Sequence, residues 1–414
     1  MQLFKASGLG RMDSWVGTHT FTMTRAVNPG ERLVVFITAF HMAPVSCTVA
    51  GNTLTRDAIQ DYVALFSIVA GSSIPSGSTV SIGMSGSTSA KFGAIVLTDA
   101  PDVGPTLASL QSPNASWSLT DDQTQPFESY TITVAEVGNG ASGGTAFTRG
   151  PADEVLFAEL SGGAGGMVVE AARRFVEGQP MKTAGSWTNT TDGARLVAVS
   201  YGNTGPAAGA SLTTDVTAYP HSETVVTASG GWTSLSNVEA DDDAEANNMT
   251  SGTGTAEGTA DLTALNLDEL IFTDAIINAV YLEEKVHSAP SNQGRIGALN
   301  IAPVVNGVLG AYNGPPYTIP TGATAYVYDV TGGGWTRADL LDAAFKLRIQ
   351  CVRAAGGSSE AQGYWDYARA RVTWTYTRPA SGPSVPTTGQ LHPRGWKDQS
   401  APANGQLFPR RVIA

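Results

Sequence analysis

The stretch YWDYARARVTWTYT, from Tyr364 to Thr377, decides the fold class of this chain. From Ala368 onward its residues alternate strictly between apolar and polar. Alternation of this kind, carried by aromatic and β-branched side chains, is typical of a β-strand with one buried face. The residues predicted to point inward are Ala368, Ala370, Val372, Trp374 and Tyr376, and those predicted to point outward are Arg369, Arg371, Thr373, Thr375 and Thr377.

The composition agrees with an all-β protein. Only 14% of the 414 residues are charged, and Gly, Thr, Ser and Ala are abundant, as expected where uncharged hydroxyls cover the solvent faces of sheets. A chain of this length forms two or three domains, each with its own core. The two cysteines, Cys47 and Cys351, lie far apart inside apolar runs, which predicts buried free thiols and no disulfide or zinc framework.

Strand-like runs separated by turn-rich spacers predict an antiparallel, jelly-roll-like β-sandwich over residues 1–205. The predicted strands are Leu33–Phe40, Val63–Ala70, Thr79–Met84, Phe92–Thr98, Tyr130–Val137, Val155–Leu160, Met167–Phe175 and Arg195–Tyr201. The linker-like segment Gly202–Pro220 sets the domain boundary.

A second β-sandwich is predicted over residues 206–380. It contains the strand predicted at Tyr364–Thr377. Its other predicted strands are Leu262–Leu267, Ala275–Val286, Gly297–Ile301, Thr324–Val330 and Phe345–Val352. Thr336 followed by Asp339 resembles a capping box and predicts one helical turn.

Residues 381–414 are predicted to form an extended Pro/Gly-rich tail that docks on a partner. The tail contains a near repeat, GQLHPR at Gly389–Arg394 and GQLFPR at Gly405–Arg410, whose copies start 16 residues apart. An apolar pair, a stiff proline and an arginine can bind a groove or a sheet edge. The residues predicted to dock are Leu391, Pro393, Arg394, Leu407, Phe408, Pro409 and Arg410.

The charge distribution supports a docking tail. The net charge is −12, and the tail carries four basic residues against one acidic, so it is +3 and the remaining residues are −15. A chain this acidic is not expected to bind nucleic acid. The basic tail is expected to meet an acidic partner surface; the alternative is that its arginines keep a flexible end soluble.

Targeting signals are not expected. The first residues contain no apolar core long enough for a signal peptide, and no run approaches the length of a membrane span. The sequence therefore predicts a soluble chain made in a cytoplasm.

Catalytic and metal-binding patterns are weak. The G-x-G-x-x-G match at Gly138–Gly143 is not followed by a helix that could hold a phosphate, which favours a loop. The five histidines lack zinc-site spacing, and no nucleophile elbow is present. We therefore predict no enzymatic activity, no cofactor and no metal.

The acidic run Asp241–Asp243, with Glu245, Asn247 and Asn248, is interpreted as a solvated loop, with a sandwich-edge calcium site as the alternative.

Aromatic residues near turn-rich segments are candidates for stacking on sugars. The candidate glycan contacts are Trp187, Trp232, Trp335, Tyr364 and Trp365. The alternative is a structural aromatic at a strand end, and Trp374 is predicted to lie in the core.

Two stretches resemble β-sandwich modules of bacteriophage virion proteins. The first contains GERLVVFITAF, VAGNTLTRDA, YVALFSIVAGSSIPSGSTVSIGMSG and FGAIVLTDAP, continuing through YTITVAEV and DEVLFAEL to GSWTNTTDGARLVAVSY. The second contains GWTSLSNVEADDDAEANNM, IINAVYLEEKV and GYWDYARARVTWTYT. In YARARVTW, Ala and Arg replace the bulkier residues of the pattern, which leaves open whether this face meets solvent or a partner.

The resemblance covers residues 15–378 and implies a structural or adhesive role in the virion, with no catalytic residues. The expected function is a non-enzymatic virion protein, either a head decoration or spike or a minor tail or fibre component. It would form homo-oligomers and be anchored to other virion proteins by its tail. The rivals are a receptor- or glycan-binding adhesin and a polysaccharide-degrading virion enzyme.

Overall fold

The computed structural model of the chain confirms the all-β prediction. It describes residues 1–8, 10–111, 116–137, 146–149, 154–159, 166–188, 194–228, 231–239, 241, 245–250, 257–289, 295–315, 319–354 and 361–380. These residues form 27 strands and one short α-helix, and all the strand pairs for which a register is defined are antiparallel. None of the described helices is long and apolar enough to cross a membrane.

Sixteen of the described strands lie within residues 1–205. They are β1 (Leu3–Lys5), β2 (Gly10–Thr22), β3 (Arg32–Ala39), β4 (Pro44–Val49), β5 (Asn52–Thr53), β6 (Thr55–Gln60), β7 (Val63–Val69), β8 (Thr79–Leu97), β9 (Asp102–Gln111), β10 (Ser116–Thr124), β11 (Glu128–Val137), β12 (Ala146–Arg149), β13 (Glu154–Glu159), β14 (Gly166–Arg174), β15 (Pro180–Thr188) and β16 (Ala194–Asn203).

These strands form three sheets. The largest has the order β5-β4-β8-β3-β7-β6, with β1 and β2 also paired to β8. A five-stranded sheet has the order β13-β14-β11-β16-β9, and a three-stranded sheet has the order β10-β15-β12.

Strand β3 is buried on both faces and therefore joins two layers. Leu33, Val35 and Ile37 belong to a core enclosed by the largest sheet itself. Val34 and Phe36 point the other way, into a core shared with the five-stranded sheet. This explains why β3 reads as the continuous apolar run LVVFI without alternation.

The strands predicted at Thr79–Met84 and Phe92–Thr98 are a single strand, β8. The segment between them is rich in Gly and Ser, a composition that indicates a turn. Its backbone stays extended because β2 pairs along it, from Gly10 opposite Phe92 to Thr22 opposite Thr79, with two bulges.

Residues 211–377 hold the remaining described strands. They are β17 (Ser211–Ala218), β18 (Ser222–Ala228), β19 (Gly231–Thr233), β20 (Ala246–Thr250), β21 (Glu257–Thr263), β22 (Ile276–Ser288), β23 (Ile296–Val305), β24 (Val308–Leu309), β25 (Thr324–Asp329), β26 (Phe345–Arg353) and β27 (Ala361–Thr377). Helix α1 spans Leu267–Leu270, and 3₁₀ turns lie at Leu235–Val238, Thr331–Gly333 and Arg337–Leu340.

These strands form the predicted second sandwich. One sheet has the order β19-β20-β27-β22-β25, with β17 also paired to β27, and the other has the order β18-β21-β26-β23-β24. The sheets meet closely at Gly363 of β27, where an added Cβ would lie 2.4 Å from Leu299 Cδ2 and 3.1 Å from Cys351 Sγ. The strand predicted at Leu262–Leu267 ends at Thr263, because Ala264 and Asn266 adopt left-handed backbone angles, φ 55° and 54°.

The inward and outward faces predicted for Tyr364–Thr377 are the ones observed. Ala368, Ala370, Val372, Trp374 and Tyr376 are buried, and the polar residues between them are partly or fully exposed. Both cysteines are buried free thiols, as predicted, and burial raises the pKa of each to about 12.

An aromatic cluster joins the second sandwich to the first 205 residues. Trp374 packs edge-on against Phe175, with ring centroids 4.8 Å apart, and Tyr376 lies 5.3 Å from Phe127. Phe272 contacts both Phe127 and Tyr376, at 4.7 and 4.3 Å. Residues 1–205 and 213–376 thus form one compact unit.

Among the described residues, 206–212 and 377–380 belong to a separate small unit. In its described part, the Gly209 N–H donates to the Arg378 carbonyl at 2.9 Å, and the Arg378 N–H donates to the Ala210 carbonyl at 3.0 Å. The tail predicted at residues 381–414 lies outside the described residues, as do the seven docking residues in it.

Candidate functional site

The described residues contain a groove of about 570 Å³ at one end of the second sandwich. It lies where the β23–β24 hairpin approaches the end of β25. We call it the Trp335 groove. Its lining consists of Pro303, Val305, Val308, Gly310, Ala311, Asn313, Asp329, Val330, Gly332, Gly333, Trp335 and Asp339. The groove is concave and mixes apolar surface with a few polar groups, the usual character of a small-ligand site.

Trp335 is held firmly in this groove. Its indole N–H donates to the Val330 carbonyl at 2.7 Å. Its ring and that of the buried Phe345 form a T-shaped contact, with centroids 5.9 Å apart and planes at 79°. The indole is therefore fixed in orientation, and its only donor is already used.

Three consecutive glycines, Gly332–Gly334, precede Trp335 and add no side chains to the space beside it. Gly334 has a left-handed φ of 67°, which favours glycine. A Cβ at Gly333 would lie 3.1 Å from the Trp335 Nε1, whereas a Cβ at Gly332 would meet nothing within 4 Å.

Two carboxylates lie at the groove. Asp329 accepts a hydrogen bond from the Thr331 N–H at 2.9 Å, and the side chain and backbone of Thr331 hold the pKa of Asp329 below its usual value. Thr336 does the same for Asp339, with its hydroxyl 2.6 Å and its N–H 3.0 Å from Oδ2. Both groups are therefore negatively charged at neutral pH.

The predicted capping box at Thr336 is confirmed and anchors the turn next to Trp335. Replacing Thr336 with alanine is expected to lower the free energy of unfolding by about 1 kcal/mol, because a capping hydroxyl is lost. Urea denaturation would measure this, with Thr20→Ala on the exposed side of β2 as the control. Equal effects of the two substitutions would contradict a capping role for Thr336.

The candidate glycan contacts do not form one platform. Trp232 packs on Trp365 at 5.3 Å, and Tyr364 stacks on His287 at 4.7 Å with planes 6° apart. These rings lie near His287 on β22, whereas the Trp335 groove begins near Tyr281, which pairs with Asp329. Six residues of strand separate these points by roughly 20 Å.

The prediction for Trp365 is wrong. Its side chain is 0% exposed, and its indole N–H donates to Glu284 at 3.1 Å inside the core. Trp365 occupies a position where both faces of β27 are covered, so its ring has no surface to offer a sugar. Trp187 lies on β15, but its side chain is outside the described part.

The sequence interpretation missed an exposed aromatic cluster around Trp15, whose side chain is 59% exposed. Trp15 contacts Phe40 edge-on at 5.6 Å, Phe40 lies 3.9 Å from His41, and His41 lies 5.8 Å from Tyr62. The only signal in the sequence was Trp15 itself, within SWVGTHTF. The cluster depends on β2 and two loops meeting, which no short pattern reveals.

The two described acidic residues of the run, Asp241 and Glu245, each contact a basic side chain. Asp241 pairs with Lys285 at 3.3 Å, and Glu245 lies 2.6 Å from His287 Nε2. Asp242 and Asp243 are outside the described residues, as is the glycine-rich stretch Gly138–Gly143. Within the described ranges, no group of three or more His, Cys, Asp or Glu side chains could hold a metal ion.

The outward face of β27 is tied together by ion pairs. Glu283 on β22 is 5% exposed and accepts from Arg369 Nε at 2.8 Å and from Arg371 Nε at 2.6 Å. The Arg369 guanidinium also lies over the Tyr367 ring, 4.2 Å from its centroid. These arginines therefore stabilise the sheet from its outer side.

A further cleft of about 380 Å³ lies beside α1. Its two arginines have intramolecular partners: Arg174 pairs with Glu269, and Arg337 Nε donates to the Ile271 carbonyl at 2.9 Å. These groups hold α1 and its neighbours in place.

Comparisons with known proteins do not assign this chain to a family. No protein-family model matches it, and no curated protein matches it. A solved structure described as the triple jelly roll fold and turret assembly in an archaeal virus is similar with 10% identity and a TM-score of 0.23, over 91% of this chain and 92% of that chain. The structure of infectious bursal disease virus Gx strain is similar with 12% identity and a TM-score of 0.19, over 91% and 72% of the two chains. TM-scores this low establish neither a shared fold nor a shared function.

Proposed function

We propose that this chain is a non-enzymatic structural protein of a virion, displayed on the particle and anchored by residues 381–414. The observation that carries the proposal is the repeated GQLHPR and GQLFPR sequence in the tail. A peptide of this kind gains affinity from two weak contacts made by one chain, because the second contact is effectively intramolecular. The anchoring contacts would be made by the leucines, prolines and arginines of the two copies, together with Phe408.

The folded residues that precede the tail are suited to display on a particle because many contacts make them rigid. In residues 1–205, for example, the Arg32 guanidinium donates hydrogen bonds to the Ala100 carbonyl and the Ser67 hydroxyl, both at 2.7 Å. Together with the Glu283 ion pairs and the aromatic cluster, such contacts make a stiff β-rich body. The sequence resemblance to phage virion modules supports the virion as its location, with a head decoration or a tail component as the finer alternatives.

The test measures how much of the chain is present in purified particles. The particles are assembled in cells that express either the wild-type chain or a variant of it. Truncation after Pro379 keeps every described strand and is expected to remove the chain from purified particles while its far-UV circular dichroism stays unchanged. In the full chain, Arg394→Ala or Arg410→Ala alone should lower incorporation about tenfold, and the double variant should abolish it.

Lys397→Ala is the matched control, because it removes a positive charge from the tail outside both repeats. It should be incorporated like wild type. Incorporation of the truncated chain at the wild-type level would refute tail anchoring, and absence of the wild-type chain from particles would refute the virion role. Release of fragments from host capsule or cell wall by the purified chain would instead favour a polysaccharide-degrading enzyme.

A further inference from the structure

We propose that the Trp335 groove binds a neutral oligosaccharide of pyranose units. The proposal concerns a ligand of the folded body and does not depend on anchoring by the tail. It rests on three features: a fixed indole, an open space beside that indole, and two charged carboxylates at the same groove.

The indole is arranged for stacking. Because Val330 already accepts its N–H, Trp335 can contribute only its ring surface to a ligand. The π-face of an aromatic ring carries partial negative charge and attracts weakly positive C–H groups, such as those on the apolar face of a pyranose. The hydrogen bond to Val330 and the contact with Phe345 hold the ring in place, so little conformational entropy is lost when a ligand stacks.

The space for the sugar is present before binding. The segment before Trp335 is Gly332–Gly334, and a Cβ at Gly332 would meet no atom within 4 Å. A groove of about 570 Å³ is large enough for one or two sugar rings.

The carboxylates define the charge of the ligand. Asp329 and Asp339 are held in their ionised state by hydrogen bonds from Thr331 and Thr336. Carboxylate oxygens accept hydrogen bonds from sugar hydroxyls, and charge-assisted hydrogen bonds are the stronger kind. The same charges repel uronic and sialic acids, which excludes anionic sugars by electrostatic repulsion.

Isothermal titration of the full chain tests the proposal. The probes are four neutral tetrasaccharides (β-1,4-glucan, β-1,3-glucan, α-1,4-glucan and β-1,4-linked N-acetylglucosamine) and the anionic tetragalacturonate. We expect at least one neutral probe to bind with a Kd of about 1 mM or tighter and tetragalacturonate to bind at least about tenfold more weakly.

Variants then place the sugar in the groove. Trp335→Ala should weaken binding at least about tenfold, and Trp335→Phe, which keeps a ring, should weaken it less. Because Trp335→Ala also removes a core contact, Gly332→Leu provides the second variant. Gly332 lines the groove and a Cβ there meets no atom within 4 Å, so the added side chain is expected to take up groove space and to weaken binding equally. Trp15→Ala removes an exposed tryptophan elsewhere and should leave the Kd unchanged.

Three outcomes would overturn the proposal. The first is that none of the neutral probes binds. The second is that Gly332→Leu binds the sugar like wild type. The third is that a synthetic GQLFPR peptide binds the groove and no sugar does, which would assign the groove to a peptide.

Discussion

Replacing Trp374 with alanine is expected to lower the free energy of unfolding by about 4 kcal/mol, the largest effect of a single substitution that we predict. Trp374 is 0% exposed and fills the inward face of β27. It also contacts Phe175, so the substitution leaves a cavity where the second sandwich meets the first 205 residues. A cavity at this junction cannot close easily, because several rigid strands surround it.

Urea denaturation followed by circular dichroism would measure this change. Trp15→Ala is the matched control: the same atoms are removed from a side chain that is 59% exposed, and the expected change is below about 1 kcal/mol. Trp374→Phe should recover part of the lost stability, because a smaller ring still fills some of the cavity. Equal denaturation midpoints for Trp374→Ala and Trp15→Ala would show that the junction adds no stability.

The second large effect is a pH dependence of stability caused by Glu284. Its carboxyl group has no exposed surface and receives hydrogen bonds from Tyr328 Oη at 3.0 Å and Trp365 Nε1 at 3.1 Å. Burial raises the pKa of Glu284 from 4.5 to about 8, and the two hydrogen bonds only partly oppose this. The folded protein therefore keeps this proton over a pH range in which the unfolded chain has released it.

Stability must then fall as the pH rises between 4.5 and about 8, because the folded state binds more protons there than the unfolded state. The expected loss from Glu284 between pH 6 and pH 8 is about 2 kcal/mol. Glu284→Gln keeps an acceptor for Trp365 and a partner for Tyr328 but cannot ionise, so this loss should disappear.

Denaturation midpoints of wild type and Glu284→Gln, measured from pH 5 to pH 9, provide the check. The exposed Glu177 gives the matched control, and Glu177→Gln should keep the wild-type slope. Parallel profiles for wild type and Glu284→Gln would mean that Glu284 is ionised in the folded protein. The same buried position makes Glu284 unsuitable as a catalytic acid, since no substrate could reach it without opening the sheet.

Local patterns predicted the individual strands well where one face or both faces are apolar. The alternation in β27 and the apolar run in β3 each matched a strand within one or a few residues of its bounds. Polar and glycine-rich strands such as β2, β10 and β15 were missed, because their extended conformation comes from pairing with a neighbour. Pairing with a neighbour, β2, also explains why the strands predicted at Thr79–Met84 and Phe92–Thr98 are one continuous strand, β8.

The sequence by itself determined the all-β class, the inward and outward faces of β27, the buried thiols and the capping box at Thr336. Each depends on side-chain periodicity or on residues a few positions apart, so short-range physics suffices. Only the tertiary structure decided which aromatic residues are accessible: Trp365 is enclosed, Trp15 is exposed, and Trp335 lies in a groove beside two carboxylates. Accessibility depends on which strands and loops come together from distant parts of the chain, and in this fold those partners lie tens to hundreds of residues apart.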